Sequence, residues 1–595
     1  MADESRTDTE PRQTLPSPPA ASGSMPVADD LWQRLEARVA TTPTRDAFRF
    51  VGEDGEVAEE WSYADLHGRA LANAERIRDA FGTDGPRLLV PVYDAQSFIA
   101  AWTGCVAAGA VAIPVPAPRG GSAVQDRLRA VAEDAGAAGF LLPAGIDAEM
   151  GLDLPTLEVV LDPPAKPYPV PTRVGGADLA VLQYTSGSTG DPKGVEVTHG
   201  NLLATCRDIG DDWQVDEESV QVCWLPLFHD LGLVCGIAVP IVLGMPCVLM
   251  TPEAFVRHPL SWLRLMSEHA ASHAAGPNFA YELASRKVSP EDAAGLDLSN
   301  WRVALNAAET VRIATLRRMA QVLEPAGFSL KTFSPGYGLA ESTAKVTAVE
   351  CGRGPTTLVV DAQALDDGIA KPMSPGRPYR VLTRCGPAGA RTDLRIVDPE
   401  TREELPRRRV GEIWISSPSI ARGYLGRPEA TEAKFGARTA SGDGPFLRTG
   451  DLAFLDGDGE LVFVTRLADR IVLRGRNFDP GALEDACERA EPLARRGRGA
   501  AITFERDGLE HLGIVYEFPT DQDEQRVRAA LRAMRRAVVQ LVDLEPAAVV
   551  LAKPGSLPRT TSGKVRRGAT AERLDKLVTE AAGSWFAEEA GGGAT

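Results

Sequence analysis

From Leu31 to about Val360, short apolar runs of strand character alternate with longer stretches of helical periodicity. Leu88–Tyr93 and Ala110–Val115 read as strands, and Ala95–Ala108 between them reads as a helix. Strand–helix–strand units close as right-handed crossovers, so the alternation predicts parallel sheets covered by helices. After about Arg380 the pattern changes. Arg395–Asp398, Gly411–Ser416 and Glu460–Val464 are short strands parted by Gly, Pro and Asp turns, which predicts a small antiparallel or barrel-like unit. From about Asp469 to Phe586, strands at Ala500–Phe504 and Leu512–Glu517 mix with the Arg-rich helix Glu524–Leu541. The expected class is α/β: a large N-terminal domain of doubly wound sheets plus a β-barrel-like subdomain over residues 31–468, then an α+β C-terminal domain over 469–586. Residues 1–30 are polar and Pro/Ser-rich and are expected to form a disordered tail, with a second short tail at 587–595.

Composition excludes several classes of function. Against 64 Lys and Arg stand 82 Asp and Glu, a net charge of −18, which suits no nucleic-acid partner because phosphate binding needs a basic surface. The eight cysteines include no CxxC pair, which argues against a disulfide framework or a zinc site and fits a reducing, cytoplasmic setting. The start lacks the basic and apolar regions of a signal peptide. Leu231–Met250 carries no charge over 20 residues, long enough to span a bilayer, but Gly232, Gly236, Pro240, Gly244 and Pro246 interrupt it. It is expected to be a buried helix, a turn at Gly244–Pro246 and a buried strand, with no transmembrane segment.

Four segments carry chemistry. Tyr184–Gly194 (YTSGSTGDPKG) follows the strand-like Leu179–Gln183 and precedes a helix expected near Thr198. Its glycines let backbone N–H groups turn toward an anion, its hydroxyls donate further bonds, and Lys193 supplies charge. It is neither a Walker A loop nor a nucleophile elbow. Ser334–Glu341 (SPGYGLAE) sets an aromatic ring among glycines with a carboxylate just beyond, a pairing that suits a base and a hard cation. Alone it reads equally as a buried Tyr and a helix-start Glu. Phe446–Leu452 (FLRTGDL) offers Asp451 to paired hydroxyls, or is simply an Asp turn. Leu557–Val565 (LPRTTSGKV) presents Lys564 at a loop tip, where a mobile cation neutralises charge only when needed. His269 and His273 stand four apart, but without a third ligand a structural role is expected.

In this order the four segments resemble the adenylate-forming superfamily of acyl-CoA synthetases, luciferases and non-ribosomal adenylation domains, over roughly Leu31 to Arg567. Leu182–Ser186 (LQYTS), Trp224–Gly232 (WLPLFHDLG), Gly276–Tyr281 (GPNFAY), Asn306–Glu309 (NAAE), Gly475–Pro480 (GRNFDP) and Ala340 make the chain most similar to fatty acyl-AMP ligases. The resemblance implies that ATP and a carboxylic acid form an acyl-adenylate and pyrophosphate. A mobile small domain then turns about Asp469, and a thiol takes the acyl group. The acceptor is the phosphopantetheine of a separate carrier protein, or CoA, in a setting such as natural product biosynthesis. It further implies that Thr185, Ser186, Ser188, Thr189 and Lys193 hold phosphates, and that Tyr337 and Gly338 flank adenine. Glu341 binds Mg²⁺, Asp451 and Arg466 hold ribose, Lys564 bridges carboxylate and α-phosphate, and His229 gates the acyl pocket.

Four positions depart from the family pattern: Ala307 and Thr465 stand for Gly, Thr310 for Pro and Ala468 for Lys. Between Glu341 and Glu412 lie 70 residues, and Val359–Pro372 is the expected place of an insertion that restrains the small domain. Two alternatives stand beside this reading. One is an acyl-CoA ligase, or one specialised for the thioester half-reaction. The other is a non-catalytic binder, which the intact Lys564 and Glu341 disfavour.

Overall fold

Asp94 and Gly109 fix the ends of the first predicted helix. The Asp94 carboxylate accepts the Ser97 N–H at 2.6 Å, and Gly109 leaves the helix at φ 74°. Ser97 through Ala108 are all buried, as befits a helix that is apolar all round and lies inside a domain. It joins the parallel strands Arg87–Val92 and Val111–Pro116. The computed structural model describes residues 30–118, 122–146, 152–162, 174–186, 192–473, 476–495, 497–506, 509–559 and 565–587. Asp30, assigned to the tail above, is 1% exposed and caps the helix Leu31–Thr41 by accepting the Gln33 N–H at 2.9 Å.

Two large sheets form the body. One has six strands, ordered Thr156–Glu158, Gly139–Leu142, Arg87–Val92, Val111–Pro116, Leu179–Ser186, Pro192–Thr198. The other has eight, from Thr347–Ala348 through Phe333–Tyr337, Val303–Asn306, His273–Gly276, Gln221–Cys223 and Cys247–Leu249 to the hairpin Asp46–Val51 and Val57–Ser62. Their interiors are parallel as expected, and so is the edge strand Thr156–Glu158, but the other three edges are not. Pro192–Thr198, Val57–Ser62 and Thr347–Ala348 each pair antiparallel with their neighbour. A short connection permits only that pairing, because a parallel return needs a crossover of a dozen residues or more.

The uncharged run folds as expected. Asp230–Leu233, a π turn at Val234–Ala238 and Val239–Leu243 form one buried rod, Gly244 turns at φ 78°, and Cys247–Leu249 is a strand. No described helix is long and apolar enough to cross a membrane. His269 and His273 do not share a helix: His269 closes Pro259–Glu268, and His273 opens a strand. Each has a structural partner, His269 Nδ1 at Arg49 (3.3 Å) and His273 at Ser272 Oγ (2.7 Å) and the Trp213 carbonyl (3.1 Å).

Beyond the body, Asp393–Val397, Gly411–Ser416, Leu447–Leu455 and Leu461–Arg466 form the expected antiparallel sheet. In the expected insertion, Thr357–Asp361 pairs with Tyr379–Thr383, and Val360 and Leu365 are buried with Phe454 and Val462. Val359 is 42% exposed and takes no part in that core. The last unit orders its strands Gly499–Arg506, Leu509–Glu517, Ala548–Ala552 and Gly583–Phe586, packs the helix Glu524–Val542 on Pro480–Ala490, and has its own core around Leu483, Tyr516 and Met534. Arg312 reaches it at Glu488 (3.0 Å) and Asp485, and Arg380 at Asp479.

Two buried histidines give the body a pH dependence. Burial lowers His199 to about 4, with Asp178 opposing, and lowers His273 to about 4, with the Trp213 carbonyl bond opposing. An unfolded histidine takes its proton near pH 6.5, so between about 6.5 and 4 the unfolded chain holds more protons and stability falls as pH falls. Each contributes at most about 3 kcal/mol to that loss. Denaturant midpoints measured from pH 7 to 4.5 should fall, and His199→Leu and His273→Gln should each flatten the slope. An unchanged slope in both variants would assign the acid sensitivity to other groups.

Candidate active site

The two ends of the Gly-rich segment belong to paired strands. Leu179–Ser186 pairs antiparallel with Pro192–Thr198, so Thr185 lies opposite Lys193. The helix expected near Thr198 begins at His199, capped by Thr198, at the far end of the second strand. That helix therefore starts at the other end of the strand from Lys193. Ser188 and Thr189 lie outside the described residues, as do the side chains of Thr185 and Ser186. Lys193 is described, and its ammonium sits 5.5 Å from the centre of the Tyr424 ring.

Tyr337 ends the strand Phe333–Tyr337 of the eight-stranded sheet. Its hydroxyl donates to Asp451 Oδ2 at 2.7 Å, and its ring stacks 6.2 Å from that of Phe463. Gly338 is required by packing, since a Cβ there would lie 1.5 Å from the Ala344 carbonyl oxygen. Glu341 follows on the short turn Ala340–Ser342, and its Oε1 accepts the Tyr424 hydroxyl at 2.6 Å. Thr343 (φ 66°), Ala344 (φ 151°) and, on the neighbouring strand end, Ala308 (φ 67°) hold left-handed backbone at a cost of roughly 1–3 kcal/mol each. Such strain concentrates where a fold fixes a reactive geometry.

Asp451 is not on a simple turn. It lies in the strand Leu447–Leu455, where Gly450 turns at φ 76°, and pairs in register with Arg466. Arg466 Nε stands 3.3 Å from its carboxylate. Burial raises the Asp451 carboxyl above the ordinary range, while Arg466, Tyr337 and Lys434 act against that. Buried Glu412 holds this turn from the next strand. It accepts the Gly450 N–H, Arg448 Nε and Trp414 Nε1, each at 2.9 Å. Lys434 donates to the Thr449 carbonyl at 2.8 Å; burial lowers its pKa, while Glu341 and then Asp451 hold it up.

His229 precedes the rod Asp230–Leu233 with its ring tilted against Phe228, 5.0 Å between centres. The Asp230 carboxylate accepts the Leu231 N–H at 2.8 Å. A small cavity next to it is bounded by Gln183, Val197, Asp230, Leu233, Ala340 and Thr343, so the rod, the hairpin and the Glu341 turn meet there. Asp469 closes the turn Leu467–Asp469 and pairs with Arg567 at 3.0 Å, which also binds Glu484 at 2.9 Å. Lys564 lies outside the described residues, between Arg559 and Val565, which bridge.

The structure thus brings Lys193, Tyr337, Glu341, Asp451 and Arg466 around one site from four separate segments. Sequence reasoning missed Tyr424, Lys434 and Glu412. Only Glu412 left a signal, as an acidic residue inside an otherwise apolar strand facing the RTGD segment. Among the described residues no group of three or more His, Cys, Asp or Glu is placed to hold a metal ion. A lone carboxylate such as Glu341 fits Mg²⁺, which keeps its waters and shares substrate phosphate oxygens, better than it fits an all-protein metal cage.

Known proteins resemble the chain over most of its length. A family model described as AMP-binding enzyme matches residues 35–425. The chain is 36% identical over 569 residues to the medium-chain-fatty-acid–[acyl-carrier-protein] ligase JamA of Moorena producens, covering 92% of this chain and 95% of that one. It is 35% identical over 568 residues to the 4-hydroxyphenylalkanoate adenylyltransferase of Mycobacterium tuberculosis, covering 91% and 90%. A structure from a study of fatty acyl-adenylate ligases of E. coli and L. pneumophila superposes with a TM-score of 0.82 at 28% identity, covering 93% of this chain and 99% of that one.

The Tyr337 hydroxyl is the neutral donor to a buried carboxylate, and hydrogen bonds to charged groups contribute about 1.5–3 kcal/mol. Tyr337→Phe should lower the stability of the N-terminal body by that amount in denaturant unfolding. An unchanged midpoint would mean that Arg466 and Lys434 suffice to hold Asp451.

Proposed function

The chain belongs to the AMP-binding enzyme family and is a ligase that activates a carboxylic acid as its acyl-adenylate; we propose that the acid is hydrophobic and that the acyl group passes to the phosphopantetheine thiol of a separate carrier protein. The observation that carries this reading is the meeting of Tyr337, Glu341, Asp451, Arg466 and Lys193 at one place. The acid is held beside the buried segments Cys235–Val239 and Ala274–Gly276, whose side chains offer apolar contact and no fixed charge. In this reading His229 gates that region.

The reaction needs no protein nucleophile. A carboxylate oxygen attacks the α-phosphorus of ATP, and the bond from that phosphorus to the bridging oxygen of pyrophosphate breaks in line. The enzyme's part is placement and charge neutralisation. Asp451 and Arg466 take the ribose, Tyr337 lies against adenine, and the hairpin residues Thr185, Ser186, Ser188, Thr189 and Lys193 take the phosphates. Glu341 would hold Mg²⁺, which supplies charge to the leaving pyrophosphate when bound. Lys564 reaches the α-phosphate from the C-terminal domain. In the second half-reaction a thiol attacks the acyl carbonyl and AMP leaves.

We treat residues 31–468 and 469–586 as two domains that turn about Asp469. Their separate cores support the division. For the acceptor, support comes from the Moorena relative, an acyl-carrier-protein ligase by name, and from the insertion. Its Val360 and Leu365 are anchored on the N-terminal side, and neighbouring Arg380 pairs with Asp479 of the C-terminal unit. Such a tie opposes the domain pose that a free CoA would need.

The test is a screen of carboxylic acids with Mg·ATP for pyrophosphate release, followed by CoA or a holo carrier protein. Acyl-carrier product is expected, and efficient CoA thioester would move the chain to the CoA ligases. Lys564→Ala should cut acyl-adenylate formation by about 10²–10³ while sparing transfer from supplied acyl-adenylate. Equal loss of both half-reactions would refute that role for Lys564. Deleting residues 359–372 should raise CoA thioester relative to released acyl-adenylate.

A further inference from the structure

Residues 418–434 lie outside every motif discussed from sequence, yet they touch three of them. The strand Pro192–Thr198 is zipped on its outer side by this segment. Leu425 N–H donates to the Gly194 carbonyl, Glu196 N–H to the Gly423 carbonyl and Arg422 N–H to the Glu196 carbonyl, each at 2.9 Å. The Ala421 N–H donates to the Glu341 carbonyl at 2.9 Å. At the centre of this segment stands Tyr424, 7% exposed, its N–H on Thr431 Oγ1 at 3.0 Å and its ring edge-on to Phe435 at 5.3 Å. Its conformation is therefore fixed from both sides. Its hydroxyl donates to Glu341 Oε1 at 2.6 Å, the only hydrogen bond to that carboxylate among the described residues. Its ring lies 5.5 Å from the Lys193 ammonium.

We propose that Tyr424 is a positioning residue: its hydroxyl occupies one oxygen of Glu341, leaving the other for the metal, and its ring holds the Lys193 ammonium where the phosphates arrive. This rests on the adenylating reading of the site. A charge-assisted hydrogen bond is short and directional, so it fixes the carboxylate without neutralising it. An aromatic face attracts a cation without the competing charge that a carboxylate partner would bring, so Lys193 stays available to a phosphate. Both groups are thus in place before substrate binds, which removes reorganisation from the reaction step.

Two variants separate the two contacts. Tyr424→Phe keeps the ring and loses the hydroxyl; Tyr424→Leu loses both. ATP binding is measured by calorimetry in EDTA and across a titration of free Mg²⁺, with unfolding midpoints to confirm the fold. Tyr424→Phe should raise the Mg²⁺ needed for half-maximal enhancement of ATP binding about tenfold and leave binding in EDTA unchanged. Tyr424→Leu should add a loss of about 2- to 5-fold in EDTA. A Phe variant with the intact protein's Mg²⁺ titration overturns the proposal alone. So does a Phe variant that loses binding in EDTA as fully as the Leu variant. If Leu does not fold, the Phe variant still decides the Glu341 contact. An intact protein that binds no ATP, with or without Mg²⁺, overturns the adenylating reading and this proposal with it.

Discussion

Asp451 keeps a carboxylate 8% exposed at the seam between the eight-stranded sheet and the small antiparallel sheet. A charge so far from water is costly unless it is paired and hydrogen-bonded. The surroundings are arranged to meet that requirement. Tyr337 comes from the end of a body strand, Arg466 from the facing strand, Lys434 from the end of the short helix Pro428–Phe435, and Glu412 pins the backbone turn beside it. Moving any of these elements would leave charge unpaired, so the two sheets are locked in register by electrostatics as well as by packing. The site lies where ligands of open α/β sheets gather, past the carboxyl end of a strand.

The alternation of strands and helices made the body legible, because parallel interiors need unbroken apolar runs and long crossovers. Ala95–Ala108 and Gly411–Ser416 were readable to the residue, since Asp94 and Gly109 bound one and the turns bound the other. The hairpin at Leu179–Thr198 was not readable as such. Its second strand begins with the Pro192–Lys193–Gly194 run, a composition that suits a loop, and pairing with its neighbour overrides that local preference. Before Tyr337, Leu330–Thr332 is a tight turn and the strand starts only at Phe333, which puts Tyr337 at its end. Tyr424 was invisible because its importance comes entirely from contacts across the fold, with partners 83 residues away at Glu341 and, at Lys193, on a strand of another sheet.

Two of the four departures from the family pattern leave the backbone unstrained. Ala307 and Thr465, which stand for Gly, both have negative φ and are 8% exposed, so neither side chain forces the backbone. The strained residue is Ala308, one position further on.

The ties of Arg312 to Asp485 and Glu488, and of Arg380 to Asp479, are ionic, whereas the two cores they connect are each sealed within their own unit. These side chains are largely out of water while the units meet: Arg380 and Asp479 are 10% and 9% exposed, Arg312 and Glu488 20% and 6%. Breaking one pair inside the joint strands a charge, whereas parting the units returns all of them to water together. A greasy seam would have to be torn open; this one can be unbuttoned. The joint is therefore set up as a catch that holds or releases whole, its charges paired and dry when shut and hydrated when open.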